Sequence, residues 1–248
     1  MIIIYRDFAF FYDRLMQTVD YKAWANYIHE IAQKYEIKPG LAADLGCGTG
    51  SFCIEMSKHG YDMIGVDMSA EMLSCAREKS IEAGRDILFL NQDMTNFELY
   101  GTVDVITCLM DSVNYVTYKN DLKHLFKLVG NYLNPGGLFV FDINTRYKFE
   151  NVFSSNVFCE TGEDISYIWQ NNFDGRSKLC SFELSFFVKE GEMYRRFDEL
   201  HYERCYTTDE LKSMLKTTKL EICGVYGELS LKKPSEKCER MFFICRKK

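Results

Sequence analysis

Between Leu41 and Ile143 five short apolar runs recur, each parted from the next by a longer, more polar connection. The runs are Leu41–Leu45, Tyr61–Val66, Ile87–Leu90, Val103–Leu109 and Leu138–Ile143. They read as strands buried on both faces, which carry near-continuous apolar residues rather than an alternation. Helical patterns fill the connections: Ser51–His59, a stretch capped by Ser69 that runs to about Ala83, and the stripe Leu122, Leu125, Phe126, Val129 and Leu133. Pro135-Gly136-Gly137 breaks the last of these. Parallel strands need such crossovers, so the spacing predicts an α/β fold with helices on both faces of a parallel sheet.

The flanks follow other rhythms. Trp24, Tyr27, Ile28, Ile31 and Tyr35 fall at helical spacing ahead of Pro39-Gly40. After about residue 150 come three long aromatic-rich segments, Ile165–Phe173, Lys178–Lys189 and Glu192–Tyr206, joined by Asp174-Gly175 and Glu190-Gly191. These are hairpin signals, and they predict an antiparallel insert too small to bury a core of its own. Thr207 and Glu210 form a capping box, and Leu220–Leu229 and Arg240–Cys245 close the chain as two strands. The chain therefore divides into an N-terminal helical segment (1–38), a core (39–150 with 206–248) and an antiparallel β insert (151–205).

Charge and cysteine spacing narrow the function. Thirty basic residues against thirty-six acidic ones leave a net charge of −6, which argues against a nucleic-acid partner. The apolar runs fall far short of the roughly 20 residues of a membrane span, and Tyr5-Arg6-Asp7 after Met1-Ile2-Ile3-Ile4 is unlike a signal peptide. Ten cysteines contain no C-x-x-C pair. The expectation is a reduced, cytoplasmic protein without metal or disulfides.

The informative stretch is Asp44-Leu45-Gly46-Cys47-Gly48-Thr49-Gly50, which ends the first strand and opens a helix. Glycines there permit a tight turn and close approach of a ligand to the backbone. The spacing is G-x-G-x-G, not the G-x-G-x-x-G of a dinucleotide site, and the preceding acid suits an ammonium better than a phosphate. Asp67 ends the second strand and Asp93 follows the third. An acid at the first position can accept ribose hydroxyls, and one at the second can accept an adenine amino group.

Together Asp44–Gly50, Asp67, Asp93, Asp104–Leu109 and Leu133-Asn134-Pro135-Gly136-Gly137 resemble the ordered motifs of the class I S-adenosylmethionine-dependent methyltransferases, over residues 40–145. The opening Tyr5-x-x-Phe8-Ala9-x-x-Tyr12-Asp13 and the insert are similar to a bacterial small-molecule branch that includes amino-sugar N-methyltransferases. The resemblance implies a Rossmann-like seven-stranded mixed sheet and S-adenosyl-L-methionine as cofactor. It implies that the backbone of Gly46, Cys47, Gly48 and Gly50 lies against the methionine part, with Asp44 near its ammonium. Asp67 would then hold the ribose and Met68 pack on the adenine. Asp93 would take the adenine amino group, the Met94 backbone the ring nitrogens, and Leu109 with Met110 would face the sulfonium. The resemblance makes the N-terminal helical segment (1–38) a lid and the antiparallel insert (151–205) a substrate cover. Tyr5, Tyr12 and Trp24 are the best members of an aromatic lid, with core packing as the alternative.

Asp111-Ser112-Val113-Asn114-Tyr115 follows the fourth strand, where this fold presents the acceptor, and Asp111, Asn114 and Tyr115 are the catalytic candidates. Asp111 would relieve an amine of its proton or cap a helix. Asn144 and Tyr147 lie nearby but read better as loop hydrogen-bonders. No Asn/Asp-Pro-Pro-aromatic motif follows the strand, and Cys108 sits mid-strand as a buried thiol rather than a nucleophile. The expected function is in-line methyl transfer to a nitrogen or oxygen of a small-molecule acceptor, by a monomer or homodimer. The alternative is a non-catalytic cofactor-binding module acting on an RNA or protein partner.

Overall fold

A computed structural model of the protein describes residues 11–248. Seven strands form the main sheet: β1 (Leu41–Leu45), β2 (Asp62–Asp67), β3 (Leu88–Asn91), β4 (Val103–Cys108), β5 (Leu133–Asn144), β10 (Leu220–Gly227) and β11 (Arg240–Lys247), in the order β10-β11-β5-β4-β1-β2-β3. β1 to β5 are parallel, and β11 runs antiparallel to both β5 and β10. This is the seven-stranded mixed sheet expected. The chain steps outward from β1 through β2 to β3, then returns to β4 on the other side of β1. The strand order therefore reverses between β1 and β4, and the crevice at that switch point is where open α/β sheets bind ligands.

Helices cover both faces. On one face α1 (Tyr21–Lys34), α2 (Ser51–Lys58) and α3 (Ala70–Glu82) pack on the sheet; on the other lie α5 (Lys119–Tyr132) and α7 (Thr208–Leu215). Two short turns, α4 (Ser112–Tyr115) and α6 (Arg146–Lys148), follow β4 and β5. α1 buries Trp24, Tyr27, Ile28 and Ile31 against the sheet, with Trp24 5.4 Å and Tyr27 4.9 Å from Phe242. That helix is part of the core, so of the predicted N-terminal lid only the described segment before it is left to act as a cover. Local signals hold: Ser69 caps α3 by accepting from Met72 N at 3.1 Å, and Thr207 with Glu210 makes the capping box.

A second sheet of four antiparallel strands, β6 (Val157–Glu160), β7 (Ile165–Asp174), β8 (Leu179–Glu190) and β9 (Met193–Arg204), stands beside the first. The sequence predicts three of these strands; the short β6 pairs with β7 as a fourth. β5 also starts earlier than predicted. It runs through Pro135-Gly136-Gly137, and a register shift between Val103 and Val105 absorbs the irregularity. No helix among the described residues is long and apolar enough to cross a membrane.

Candidate active site

A cavity of about 880 Å³ opens at the carboxyl ends of β1, β2 and β4 and reaches the inner face of the second sheet. Its first half is the glycine turn. Gly46 and Cys47 donate their N–H groups to Val66 O at 2.8 and 3.0 Å, folding the turn back on β2. Gly46, Gly48 and Gly50 have φ of +74°, +53° and +73°, left-handed values that glycine adopts without strain. A Cβ on Gly48 would meet nothing within 4 Å, so this position faces open space. A Cβ on Gly50 would lie 2.9 Å from Ala76 and 3.0 Å from Phe89. Gly46, Cys47 and Gly48 line the cavity; Gly50 does not, and its role is to let α2 and α3 pack.

All three predicted carboxylates line the cavity. Asp67 accepts from Gly48 N at 2.8 Å through Oδ2 and from Ser69 N at 2.9 Å through Oδ1. Burial raises its pKa even against these backbone donors. Asp44 is buried, accepts from Thr107 Oγ1 at 2.6 Å, and is pushed up to about 7 by burial. Asp93 is the exposed member, and its Oδ1 accepts from Thr95 N and Oγ1 at 2.7 and 2.9 Å. Met68 (75% exposed), Met94 and Leu109 complete this wall. Tyr12 and Trp24 also border it, whereas Tyr5 lies outside the described residues.

The second half holds a buried charge network. Met110 and Asp111 both have positive φ, +55° and +57°, and this turns the chain sharply at the end of β4. The Arg240 guanidinium donates to Asp111 Oδ1 at 2.7 Å and to Asp142 Oδ2. Burial alone would raise Asp111, but Arg240 and then Lys148 hold it below the usual carboxylate range. Asp111 is therefore an ion-paired anion, neither the free base nor the side-chain helix cap weighed from sequence. Glu203 accepts from Asn144 Nδ2 at 2.9 Å, and burial and then Asp111 drive its pKa well up. Lys148 Nζ donates to Asn144 Oδ1 at 3.0 Å.

The other two catalytic candidates part company. Tyr115 turns its ring into the cavity, 45% exposed. Asn114 is fully buried and does not reach the cavity. Its Nδ2 donates to Arg204 O at 2.9 Å and its Oδ1 accepts from Asn144 N at 3.0 Å, so it ties α4 to β9 and β5. Sequence reasoning missed Lys148, His201, Glu203 and Arg240 on the wall, together with the aromatic face of Phe153, Tyr167, Trp169, Phe182 and Phe186. The period-2 spacing of Glu199, His201 and Glu203 was the one signal available.

The surroundings of this geometry among known proteins are clear. A methyltransferase-domain family model matches residues 42–137. YqeM of Bacillus subtilis (strain 168), provisionally named a methyltransferase, is 38% identical over 250 residues, covering 99% of this chain and 98% of that protein. A crystal structure of an S-adenosylmethionine-dependent methyltransferase from Clostridium acetobutylicum ATCC 824 superposes with a TM-score of 0.89 at 37% identity, covering 98% of each chain. The chain belongs to the class I S-adenosylmethionine-dependent methyltransferases. Methyltransferases of this family use S-adenosyl-L-methionine, and it is the cofactor here. A more distant relative is the dTDP-3-amino-3,4,6-trideoxy-alpha-D-glucopyranose N,N-dimethyltransferase of Streptomyces venezuelae. This methyltransferase is 25% identical to it over 209 residues, which cover 78% of this chain and 84% of that enzyme.

Proposed function

We propose that this enzyme transfers the methyl group by in-line displacement to a nitrogen or oxygen of a small molecule. The observation that carries the reading is one continuous cavity, with the glycine turn and acids at one end and aromatic side chains of the second sheet at the other. The residues at the first end suit the cofactor. Gly48 leaves room for close approach of a ligand, Asp44 offers a buried carboxyl group for an ammonium, and Asp67 a carboxylate for a ribose. Asp93, Met68 and Met94 would take the adenine, and Cys47 and Leu109 the methionine and sulfonium end. Bound there, the cofactor supplies an electrophilic methyl carbon on a sulfur leaving group.

The chain's own contribution is position and dryness. Fixing an acceptor in line can lower the barrier by about 7–11 kcal/mol in ideal intramolecular cases. Tyr115, Phe153, Trp169 and Phe182 present ring surface around the space an acceptor would fill, which keeps bulk water from it. Tyr12 and the residues before α1 would close the cofactor end, and the insert 151–205 would cover the acceptor. A module that only sensed the cofactor would need no such acceptor-sized half. All ten cysteines are unpaired, which suits work in the reducing cytoplasm.

The test is transfer of labelled methyl from S-adenosylmethionine to a panel of small amines, amino sugars, phenols and catechols. Label in one or more of these supports the reading. Label only in added RNA or protein would overturn it in favour of a macromolecular partner.

A further inference from the structure

We propose that His201, held by Glu199, is the general base of this enzyme, and that its acceptor is a hydroxyl on a flat unsaturated ring, a phenol or enol. This rests on the small-molecule reading above. Glu199, His201 and Glu203 alternate on one face of β9, and the two glutamates are buried. His201 Nε2 lies 3.0 Å from Glu199 Oε2. A carboxylate can only accept there, so Nε2 carries the proton and the lone pair of Nδ1 is the basic site. Glu199 Oε1 is buried with no partner among the described residues, so the imidazole is what this carboxylate serves.

The imidazole is also in the right part of the cavity. A Cβ on Gly46 would fall 2.9 Å from Ser112 Oγ, so α4 abuts the glycine turn. Tyr115, on the same short helix, sets its ring edge-on to His201 with centroids 6.0 Å apart. One ring therefore separates His201 from the helix that touches the cofactor end. The groups facing the imidazole are Glu199 and Glu203 from its own strand, Tyr115 from the segment after β4, and the uncharged Phe182 opposite on β8. The rival bases are occupied: Asp111 is paired with Arg240, and Glu203 and Lys148 are both bonded to Asn144.

A built base selects the acceptor. An amine attacks as its free base and needs no proton removed as the bond forms. A phenolic hydroxyl, with an ordinary pKa of about 10, does. The aromatic wall of Phe153, Tyr167, Trp169 and Phe182 offers stacking faces to a flat ring. In the step, an oxygen lone pair forms the bond to the methyl carbon, and the carbon–sulfur electron pair leaves with sulfur as a neutral thioether. The hydroxyl proton passes to His201 Nδ1 and then to solvent, so the sulfonium charge becomes an imidazolium charge.

The experiment pairs turnover with imidazole ¹⁵N NMR on the full chain. Simple phenols and catechols are compared with matched anilines and amino sugars, and the hydroxyls are methylated preferentially. His201→Gln lowers kcat by about 100-fold or more and leaves the S-adenosylhomocysteine Kd within about twofold. Glu199→Gln lowers kcat by about tenfold and removes the preference for the Nε2–H tautomer in the NMR spectrum, because the acceptor that fixes the ring is lost. The NMR spectrum of the S-adenosylhomocysteine complex shows His201 as the Nε2–H tautomer. Retention of kcat within about threefold in His201→Gln, or an Nδ1–H tautomer, overturns the base. Preferred methylation of amines overturns the acceptor class. If no small molecule is methylated, the function proposed above fails instead, and the tautomer still judges the His201–Glu199 pair.

Discussion

Lys79 Nζ lies 2.6 Å from Asp13 Oδ2, although 66 residues separate them. The same ammonium donates to Ser51 Oγ at 2.5 Å and Thr49 Oγ1 at 3.2 Å, and Thr49 Oγ1 donates to Asp13 Oδ1 at 2.5 Å. The segment that carries Tyr12 onto the cavity is thus latched to the residues that follow Gly48. The pair is about one-third exposed, so solvent screening reduces its worth to about 1 kcal/mol.

Asp13→Ala should release this latch without harming the core. The expected outcome is cofactor affinity about fivefold weaker, with the melting temperature lowered by no more than about 4 °C. Calorimetry with S-adenosylhomocysteine and a thermal melt measure the two separately. Unchanged affinity would remove the latch from the binding site.

A cofactor seated beside Asp44 should bind with proton linkage. Its folded pKa of about 7 stands above the unfolded value of about 3.9. The stability that follows from this raised value is fully present below about pH 4 and is lost as pH rises through about 7. A ligand ammonium beside Asp44 favours the ionised form and lowers that pKa. Binding of S-adenosylhomocysteine at about pH 6.5 should therefore release a proton, seen as a heat that depends on the buffer's ionisation enthalpy. Asp44→Asn should abolish the release; an unchanged release in that variant would assign the proton elsewhere.

Gly48 and Gly50 share a backbone conformation but should fail differently. Gly48→Ala meets no neighbour, so it costs about 1–2 kcal/mol of stability while its methyl projects into the space proposed for the cofactor. Binding should fall by about tenfold or more. Gly50→Ala adds a clash with Ala76 and Phe89 and should cost about 2–4 kcal/mol with cofactor affinity nearly intact. Denaturant unfolding and calorimetry on both variants decide the matter, and the opposite ranking would exchange their roles.

Arg240 holds two buried carboxylates, so Arg240→Met should destabilise by about 3–5 kcal/mol, because Asp111 and Asp142 lose their cation. Adding Asp142→Asn should recover part of that loss. Denaturant unfolding reads both; a double variant no more stable than the single one would deny the coupling.

Much of this was legible in the chain. Continuous apolar runs fixed the parallel strands, and glycines beside acids marked the end of the cavity proposed for the cofactor, because local chemistry decides both. The acceptor end was not. Arg240 and Asp111 come together from positions 129 residues apart, as single charged residues whose meaning depends on strand order. β9 also inverts the usual rule: Glu199 and Glu203 are buried, while Leu200 and Tyr202 are 54% and 49% exposed. Assigning its apolar residues inward would turn the strand the wrong way and hide His201. Asn114 misled for the converse reason, since a polar residue next to the site was satisfied entirely by backbone.

The most direct measurement is the heat of binding of S-adenosylhomocysteine to the wild-type chain and to Asp67→Ala. The account predicts saturable one-site binding by the wild type, and about tenfold or weaker binding by the variant, because a charged hydrogen-bond acceptor is lost. Equal affinity in the two proteins, or no heat from the wild type, would contradict a cofactor seated between the glycine turn and the end of β2.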